Sequence, residues 1–242
     1  MRGGEKIAYG YARHGEMFLC AGYRRRTDSS SRAMAGMTER IDEEPSDDGA
    51  STRRRGFTLW LTGLSGAGKS TLGAAVQQVL ASRGHHVNIL DGDQIRARRT
   101  RSIGFSKEER DAHVRRVGQL ANRISRKGTV AIVAVISPYR AVRAEARRAH
   151  AGFFIEVFVD CPLEVLVRRD PKGLYARALR GEIQDFTGVS APYEPPLDPE
   201  LHLRTDCESI DASVVRIIAA LESRGLINGT SNRPLRPSSF AG

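Results

Sequence analysis

The chain has 242 residues, enough for one sizeable α/β core with further segments at its ends, and its formal net charge is +10. Its longest strongly apolar run, Val130 to Ile136, is far shorter than the roughly 20 residues that cross a bilayer, so we expect no membrane association. Three cysteines without metal-ligand spacing, and no apparent export signal, indicate a reduced, cytoplasmic protein.

The excess of positive charge has two explanations. Residues 1–55 hold 11 Lys and Arg against 9 Asp and Glu, so most of the excess lies in the remaining chain. A basic surface binds nucleic acid or attracts small polyanions such as ATP and a second anionic substrate. The sequence shows no aromatic and basic platform for bases. We therefore expect small anionic substrates and no nucleic-acid partner.

The ends of the chain differ in composition from its middle. Charge and serine clusters without periodicity predict a poorly structured extension over residues 1–55. This extension is either a flexible tail or, if translation begins at Met37, partly absent from the native protein. The sequence predicts one domain over residues 56–227 and a flexible tail over residues 228–242.

The first predicted strand, Phe57 to Thr62, leads into the most informative motif. Residues 63–70 read GLSGAGKS and match G-x-x-x-x-G-K-[ST] at every fixed position, and apolar residues at helical spacing follow. Glycines let successive N–H groups form an anion-binding concavity, Lys69 reaches the β- and γ-phosphates, and the Ser70 hydroxyl suits Mg²⁺. The motif predicts ATP binding by Gly63, Leu64, Ser65, Gly66, Ala67, Gly68, Lys69, Ser70 and Thr71.

Two carboxylates follow the second predicted strand, Val87 to Leu90. A phosphotransferase needs one carboxylate to hold Mg²⁺ and another to orient or deprotonate the attacking hydroxyl. We expect Asp91, together with Ser70, to hold the metal and Asp93 to act as the base. The alternative is a polar Asp-Gly turn that caps the next helix.

Alternating strands and helices continue along the chain. The capping box at residues 106–109 predicts a helix from Ser106 to Lys127. The other predicted elements are strands at 129–135, 153–159 and 201–205, and helices at 141–150, 162–169 and 210–223. Alternation of this kind predicts a three-layer α/β/α fold with a mostly parallel sheet, as in P-loop nucleoside-triphosphate hydrolase-like kinases.

Basic side chains surround the predicted site. Guanidinium groups bind phosphate and sulfate in a bidentate manner, and we expect Arg96 and Arg110 to do so. The long segment from 170 to 190 is either a mobile surface loop or a lid with glycine hinges. As a lid, it would close three cations over the transferring phosphate: Lys172, Arg177 and Arg180.

Together these segments resemble the adenylyl sulfate kinase family. The resemblance extends over about residues 56–227, and its most specific parts are ISPYR at 136–140 together with KGLY and FTG in the loop. The other matching pieces are GLSGAGKST at 63–71, LDGD at 90–93, IGFS with Arg110, VRRVG at 114–118, the stretch from 154 to 165, and PYE at 192–194.

The resemblance implies transfer of the γ-phosphate of ATP to the 3′-hydroxyl of adenylyl sulfate, with Mg²⁺, in a homodimer. It implies an adenine sandwich between Phe105 and Phe186, although Phe105 also suits a hydrophobic staple. The expected catalytic residues are Lys69, Asp93 and Ser137, and Ser137 matches a serine described in the family as phosphorylated. The expected substrate pocket comprises Asp93, Arg96, Phe105, Arg110, His113, Ile136, Ser137, Lys172, Gly173, Leu174 and Phe186.

The chain departs from the family pattern in the acceptor pocket. The family usually has Asn where this chain has His113, which is bulkier and can carry charge near neutral pH. It usually has His-Gly-Leu where this chain has Ala97-Arg98-Arg99. Two alternatives follow: a related P-loop kinase for another anionic hydroxyl substrate, and a non-catalytic nucleotide-binding regulatory domain. The intact phosphate loop argues against the second.

Overall fold

The computed structural model describes residues 56–97, 106–150 and 152–228. Each strand in these ranges is followed by one or two helices, so the alternation that the sequence predicts is present. The strands are β1 (Phe57–Thr62), β2 (Val87–Asp91), β3 (Val130–Ala134), β4 (Phe153–Asp160) and β5 (Leu201–Arg204). The helices are α1 (Lys69–Ser82), α2 (Gly92–Ala97), α3 (Lys107–Arg126), α4 (Arg140–Ala149), α5 (Leu163–Arg169), α6 (Leu174–Leu179) and α7 (Ile210–Ser223).

The five strands form one parallel sheet in the order β2-β3-β1-β4-β5. The central strand β1 pairs with β3 on one side and β4 on the other, so that Leu59 is in register with both Ile132 and Ile155. The strand order reverses at β1, and ligands of open α/β sheets bind at such a switch point, beyond the carboxyl ends of the strands. The glycine-rich loop follows β1 and therefore lies at this position.

Helices cover both faces of the sheet, because alternate side chains of each strand point in opposite directions. On one face, Leu59 and Leu61 belong to a buried cluster with residues of α1 and α7. On the other face, Trp60 belongs to a second buried cluster with residues of α3 and α4. The predicted three-layer α/β/α fold is confirmed.

Most predicted boundaries agree with the structure to within two residues, and α7 matches its prediction. The capping box is present, since the Ser106 hydroxyl accepts from the Glu109 N–H (3.2 Å) and the Glu109 carboxylate accepts from the Ser106 N–H (3.1 Å). The prediction that Pro162 is the first helical residue is wrong by one position, because Pro162 is the N-cap of α5. The predicted extension at 1–55 and residues 229–242 lie outside the described residues. No helix in the described ranges is long and apolar enough to cross a membrane.

Candidate active site

A cavity of about 540 Å³ opens beyond the carboxyl ends of the strands. Its walls come from the phosphate loop, α2, α3, the segment after β3 and the loop around α6. Most residues that the sequence predicts for the site line this one cavity: Ser65, Gly66, Gly68, Lys69, Ser70, Thr71, Asp91, Asp93, Arg96, Arg110, His113, Ile136, Ser137, Lys172, Leu174 and Phe186. Gly63, Leu64, Ala67 and Gly173 belong to the same segments without lining it.

Two predicted phosphate ligands are not brought to the cavity. The exposed side chains of Arg177 and Arg180 both form ion pairs with Glu182, at 3.3 and 2.6 Å, on the outer side of α6. Arg177 lies in the six-residue helix α6 and Arg180 is its C-cap, so their side chains, three positions apart, are close enough to share Glu182. Phe105 lies outside the described residues.

The phosphate loop holds its lysine against its own backbone. The Lys69 ammonium donates to the carbonyl oxygens of Gly63 (2.9 Å) and Leu64 (2.7 Å). A Cβ at Gly63 would collide with the carbonyl oxygen of Val159, so the loop approaches β4 too closely for any other residue. Burial lowers the pKa of Lys69 to about 8. A phosphate bound in the loop would favour the charged form of this ammonium.

Asp91 caps the next helix, which is the alternative that the sequence offers, and it also contacts Ser70, its predicted partner at the metal site. One carboxylate oxygen caps α2 by accepting from the backbone N–H groups of Asp93 (2.9 Å) and Gln94 (3.1 Å). The other accepts from the Ser70 hydroxyl at 2.6 Å. This short helix α2 is absent from the sequence prediction, because six residues are too few to show periodicity.

The Ser70 and Asp91 pair fits a magnesium site of the kinase type. Mg²⁺ prefers hard oxygen ligands and, in kinases, takes one or two from the protein and the rest from substrate phosphates and water. In the described part of the chain, no group of three or more His, Cys, Asp or Glu side chains is arranged to hold a metal. The residues present therefore suit a metal that arrives with a nucleotide.

Asp93, the predicted base, forms an ion pair with Lys172, a predicted cation of the lid. The Lys172 ammonium lies 2.7 Å from a carboxylate oxygen of Asp93, 79 positions away in the sequence. Burial by itself raises the pKa of Asp93, but the hydrogen bond and charge of Lys172, with the charges of Lys69 and Arg96, bring it below its ordinary value. Asp93 is therefore ionised at neutral pH and is able to accept a hydrogen bond or a proton.

Helix α3 presents Arg110 and His113 to the cavity, three positions apart on one face, as predicted. Both side chains are buried, and the Arg110 guanidinium donates to the Thr187 hydroxyl at 2.7 Å. Burial and the charge of Arg96 lower the pKa of His113, which is therefore neutral near neutral pH. The sequence allows His113 to carry charge near neutral pH, and the structure favours its neutral form. In the described ranges its Nδ1 atom has no hydrogen-bond partner.

Ser137 lies at the cavity, but its hydroxyl is directed into the protein. The residue is 1% exposed, and its Oγ accepts from the Trp60 indole N–H (3.1 Å) and donates to Thr62 Oγ1 (2.9 Å). Sequence reasoning missed Trp60, Thr62, Thr187 and Tyr193 as supports of the site. The first two sit in a strand that reads as core, and their contacts with residues about 75 and 130 positions away leave no local signal.

Phe186 lines the cavity beside another aromatic ring. It packs edge to face against Tyr175, with ring centroids 5.1 Å apart. The Tyr175 hydroxyl donates to the carbonyl oxygen of Ser65 in the phosphate loop at 2.8 Å. The loop around α6 is thus joined to the phosphate loop through a buried tyrosine, while the stacking of Phe186 on adenine stays a prediction.

Comparison with known proteins gives consistent matches. The family model described as adenylylsulphate kinase matches residues 55–204. The chain is 49% identical to the adenylyl-sulfate kinase of Rippkaea orientalis over 175 residues, which are 72% of this chain and 96% of that protein. It is 50% identical to the adenylyl-sulfate kinase of Gloeothece citriformis over 175 residues, 72% of this chain and 99% of that protein.

Solved structures agree with these matches. The structure of the Mycobacterium tuberculosis APS kinase CysC in complex with AMPPNP and APS superposes with a TM-score of 0.67 at 43% identity, covering 69% of this chain and 98% of that chain. A hexameric APS kinase from Thiobacillus denitrificans has a TM-score of 0.55 at 36% identity, covering 72% of this chain and 30% of that chain.

Proposed function

We propose, since this chain belongs to the adenylylsulphate kinase family, that it phosphorylates the 3′-hydroxyl of adenylyl sulfate with ATP, giving ADP and 3′-phosphoadenylyl sulfate. One observation carries the proposal. A single cavity joins an intact phosphate loop to an ionised carboxylate, Asp93, and to a second wall that contains Arg110 and His113. Phosphoryl transfer between two bound nucleotides needs this combination of a donor side, a base and an acceptor side.

On the donor side, the backbone amides of the phosphate loop and the Lys69 ammonium hold the β- and γ-phosphates. Ser70 and Asp91 are the residues that would hold Mg²⁺, and their 2.6 Å contact supports this role. Bound Mg²⁺ would neutralise charge on the phosphate oxygens. Lys69 leaves the carbonyl groups of its own loop when the phosphates arrive and binds them instead.

On the acceptor side, Arg96 and Arg110 bind the anionic part of adenylyl sulfate, and Asp93 orients its 3′-hydroxyl and takes the proton. Before this proton transfer, Lys172 exchanges its contact with Asp93 for the transferring phosphate. The exchange frees the carboxylate, and the ammonium neutralises the charge that develops on the phosphate. Phosphoryl transfer requires positioning and charge neutralisation rather than a protein nucleophile, so this route needs no phosphorylated Ser137.

The proposal is tested by measuring ADP release from purified protein with ATP, Mg²⁺ and adenylyl sulfate. Other nucleotides with a free 3′-hydroxyl serve as control acceptors, and omission of Mg²⁺ with a chelator should abolish turnover. Lys69→Ala should lower kcat by about a hundredfold or more, because it removes a preorganised cation from the transferring phosphate. The exposed Lys127→Ala is the matched control and should behave as wild type. Unchanged turnover in Lys69→Ala would contradict the phosphate-loop assignment.

Two further proposals concern the protein in the cell. We expect a homodimer, as the family resemblance implies, and light scattering during gel filtration tests it. We also expect a reduced, cytoplasmic setting. Cys161 and Cys207 are both free thiols, which agrees with such a setting, and cell fractionation tests the location.

A further inference from the structure

Residues 136–138, here called the acceptor floor, line the cavity and are held by bonds from distant parts of the fold. Each of the three residues has its carbonyl oxygen engaged. The Ile136 carbonyl accepts from the Thr62 hydroxyl at 2.8 Å. The Ser137 carbonyl accepts from the Arg143 guanidinium at 2.6 Å. The Pro138 carbonyl accepts from the Glu194 N–H at 2.8 Å. The floor is therefore fixed by groups that do not themselves line the cavity.

The proton positions in this network follow from the donor capacities of its members. The Trp60 indole N–H is a donor only, so Ser137 Oγ accepts from it and donates its own proton to Thr62. Thr62 uses its single proton for the Ile136 carbonyl. Tyr193, whose oxygen lies 3.0 Å from Thr62 Oγ1, must then be the donor in that contact. Burial raises the pKa of Tyr193 to about 12, so it keeps this proton.

The network holds an uncommon backbone conformation. Ser137 has a φ of 41°, in the left-handed region that residues other than glycine rarely adopt. Such a conformation is sparsely populated and persists where its surroundings determine it. Arg143, which is 3% exposed, also joins the floor to residue 194, because its guanidinium donates to both the Ser137 and Glu194 carbonyl oxygens.

We propose that Tyr193 positions the acceptor substrate indirectly: it holds Thr62, and Thr62 holds the acceptor floor. The Ser137 hydroxyl is a structural member of the same network. The inference rests on the proposed function, because the floor forms the acceptor side of the cavity. Tyr193 itself does not line this cavity. Loss of the Tyr193 hydroxyl should therefore weaken binding of the acceptor without altering the reacting groups or the residues that bind ATP.

The chain supplies a matched control for this test. Tyr175 is a second tyrosine whose hydroxyl makes one hydrogen bond, in its case to Ser65 in the phosphate loop. Tyr193→Phe and Tyr175→Phe therefore make the same chemical change, one in the network of the acceptor floor and the other at the phosphate loop, and Tyr175→Phe keeps the ring that packs against Phe186. Tyr193→Phe should raise the KM for adenylyl sulfate about three- to tenfold, the effect of one lost hydrogen bond, and leave the KM for ATP unchanged. Tyr175→Phe should leave the KM for adenylyl sulfate unchanged.

A second pair of variants tests the route through Thr62. Thr62→Val keeps the shape but removes the donor to Ile136, and should reproduce the selective rise in the acceptor KM. Thr62→Ser keeps the hydroxyl and should restore nearly normal binding. Combining Thr62→Val with Tyr193→Phe should add little to Thr62→Val alone, since both changes act on the same contact.

Titration calorimetry with adenylyl sulfate, and separately with a non-hydrolysable ATP analogue, reads out the same selectivity without turnover. An unchanged acceptor affinity in Tyr193→Phe would overturn the inference, and so would an equal loss for both ligands, which is the result of a merely structural role. The proposed function fails on a different result, the absence of turnover by the wild-type protein.

Discussion

Asp93 is the residue on which the chemistry of the proposed reaction depends most directly. Asp93→Asn keeps the size and hydrogen-bonding reach of the side chain but removes its capacity to take a proton. We expect kcat to fall by about a hundredfold or more, the range of a lost general base, while ATP affinity changes little. Steady-state kinetics and calorimetric titration with an ATP analogue measure the two effects.

The control for Asp93→Asn is Glu182→Gln, because Glu182 pairs with Arg177 and Arg180 outside the cavity. It should retain normal kcat. If Asp93→Asn lost nucleotide binding and kept kcat at saturating ATP, Asp93 would be a binding residue and the base would have to be sought elsewhere.

His113 gives the site a pH-dependent contribution to stability. Burial and Arg96 lower its pKa, the neighbouring Asp93 raises it by less, and Arg110 lies one turn away on the same helix. The folded protein therefore binds fewer protons here than the unfolded chain, whose histidine has a pKa of about 6.5. Stability is then lost as the pH falls through about 6.5 toward the lower folded-state pKa.

His113→Asn should weaken that pH dependence. Between about pH 7.5 and about pH 5.5, the thermal midpoint of the variant should fall less than that of the wild type. His150, another histidine whose pKa is lowered by burial, is present in both proteins and cancels in the comparison. Equal losses in the two proteins would show that His113 is not neutral in the folded state.

Helix α3 carries Arg110 and His113, and its stability depends on the capping of its first turn. Ser106→Ala removes the side chain that accepts from the Glu109 N–H and should lower the free energy of unfolding by about 1 kcal/mol. We also expect a higher KM for adenylyl sulfate, since the arginine and histidine lie one and two turns from this cap. Chemical denaturation and steady-state kinetics measure the two effects.

The matched variant is Ser209→Ala, because Ser209 caps α7 by the same kind of bond, to the Ala212 N–H at 3.1 Å, far from the cavity along the chain. It should lose a similar amount of stability and keep normal KM values. Equal kinetic effects in both variants would mean that the cap of α3 matters for stability alone.

Local patterns explain why much of the fold was predictable. The capping box, the apolar runs and the glycine-rich loop are each written in a few consecutive residues, and their structures depend mainly on those residues. Arg177 and Arg180 show the limit of such patterns. Their charge is visible in the sequence, but the face on which a short helix presents them depends on packing elsewhere, and the structure turns them toward Glu182.

The site was predictable where the parallel sheet itself brings segments together. Strand ends meet at one edge of such a sheet, so Ser70 and Asp91 were expected to approach each other, and they do. The pairs of Lys172 with Asp93 and of Tyr193 with Thr62 join segments 79 and 131 positions apart. Their contacts depend on how a long loop folds back over the sheet edge, which no local pattern determines.

In the whole molecule, the reversal of strand order at β1 places the phosphate loop and the proposed acceptor side beside each other at one edge of the sheet. The phosphate loop lies on the α1 side of the central strand, and the acceptor floor follows β3 next to it. The positively charged residues of the cavity then serve both anions within one space. The two proposed substrates are both anions, so their binding is enough to explain the positive residues that line the cavity.

The same architecture predicts how much of the chain the reaction needs. Among the described residues, both buried clusters and the cavity lie between positions 56 and 227, and Leu226 and Ile227 belong to one of these clusters. The relative from Rippkaea orientalis matches 175 residues of this chain over 96% of its own length. We therefore expect a shortened protein of residues 56–227 to fold alone, with kcat and both KM values within about twofold of the full chain. Circular dichroism, thermal unfolding and the ADP-release assay compare the two proteins. If the shortened protein were folded but inactive, residues outside 56–227 would contribute to the site, and the proposed domain boundary would be wrong.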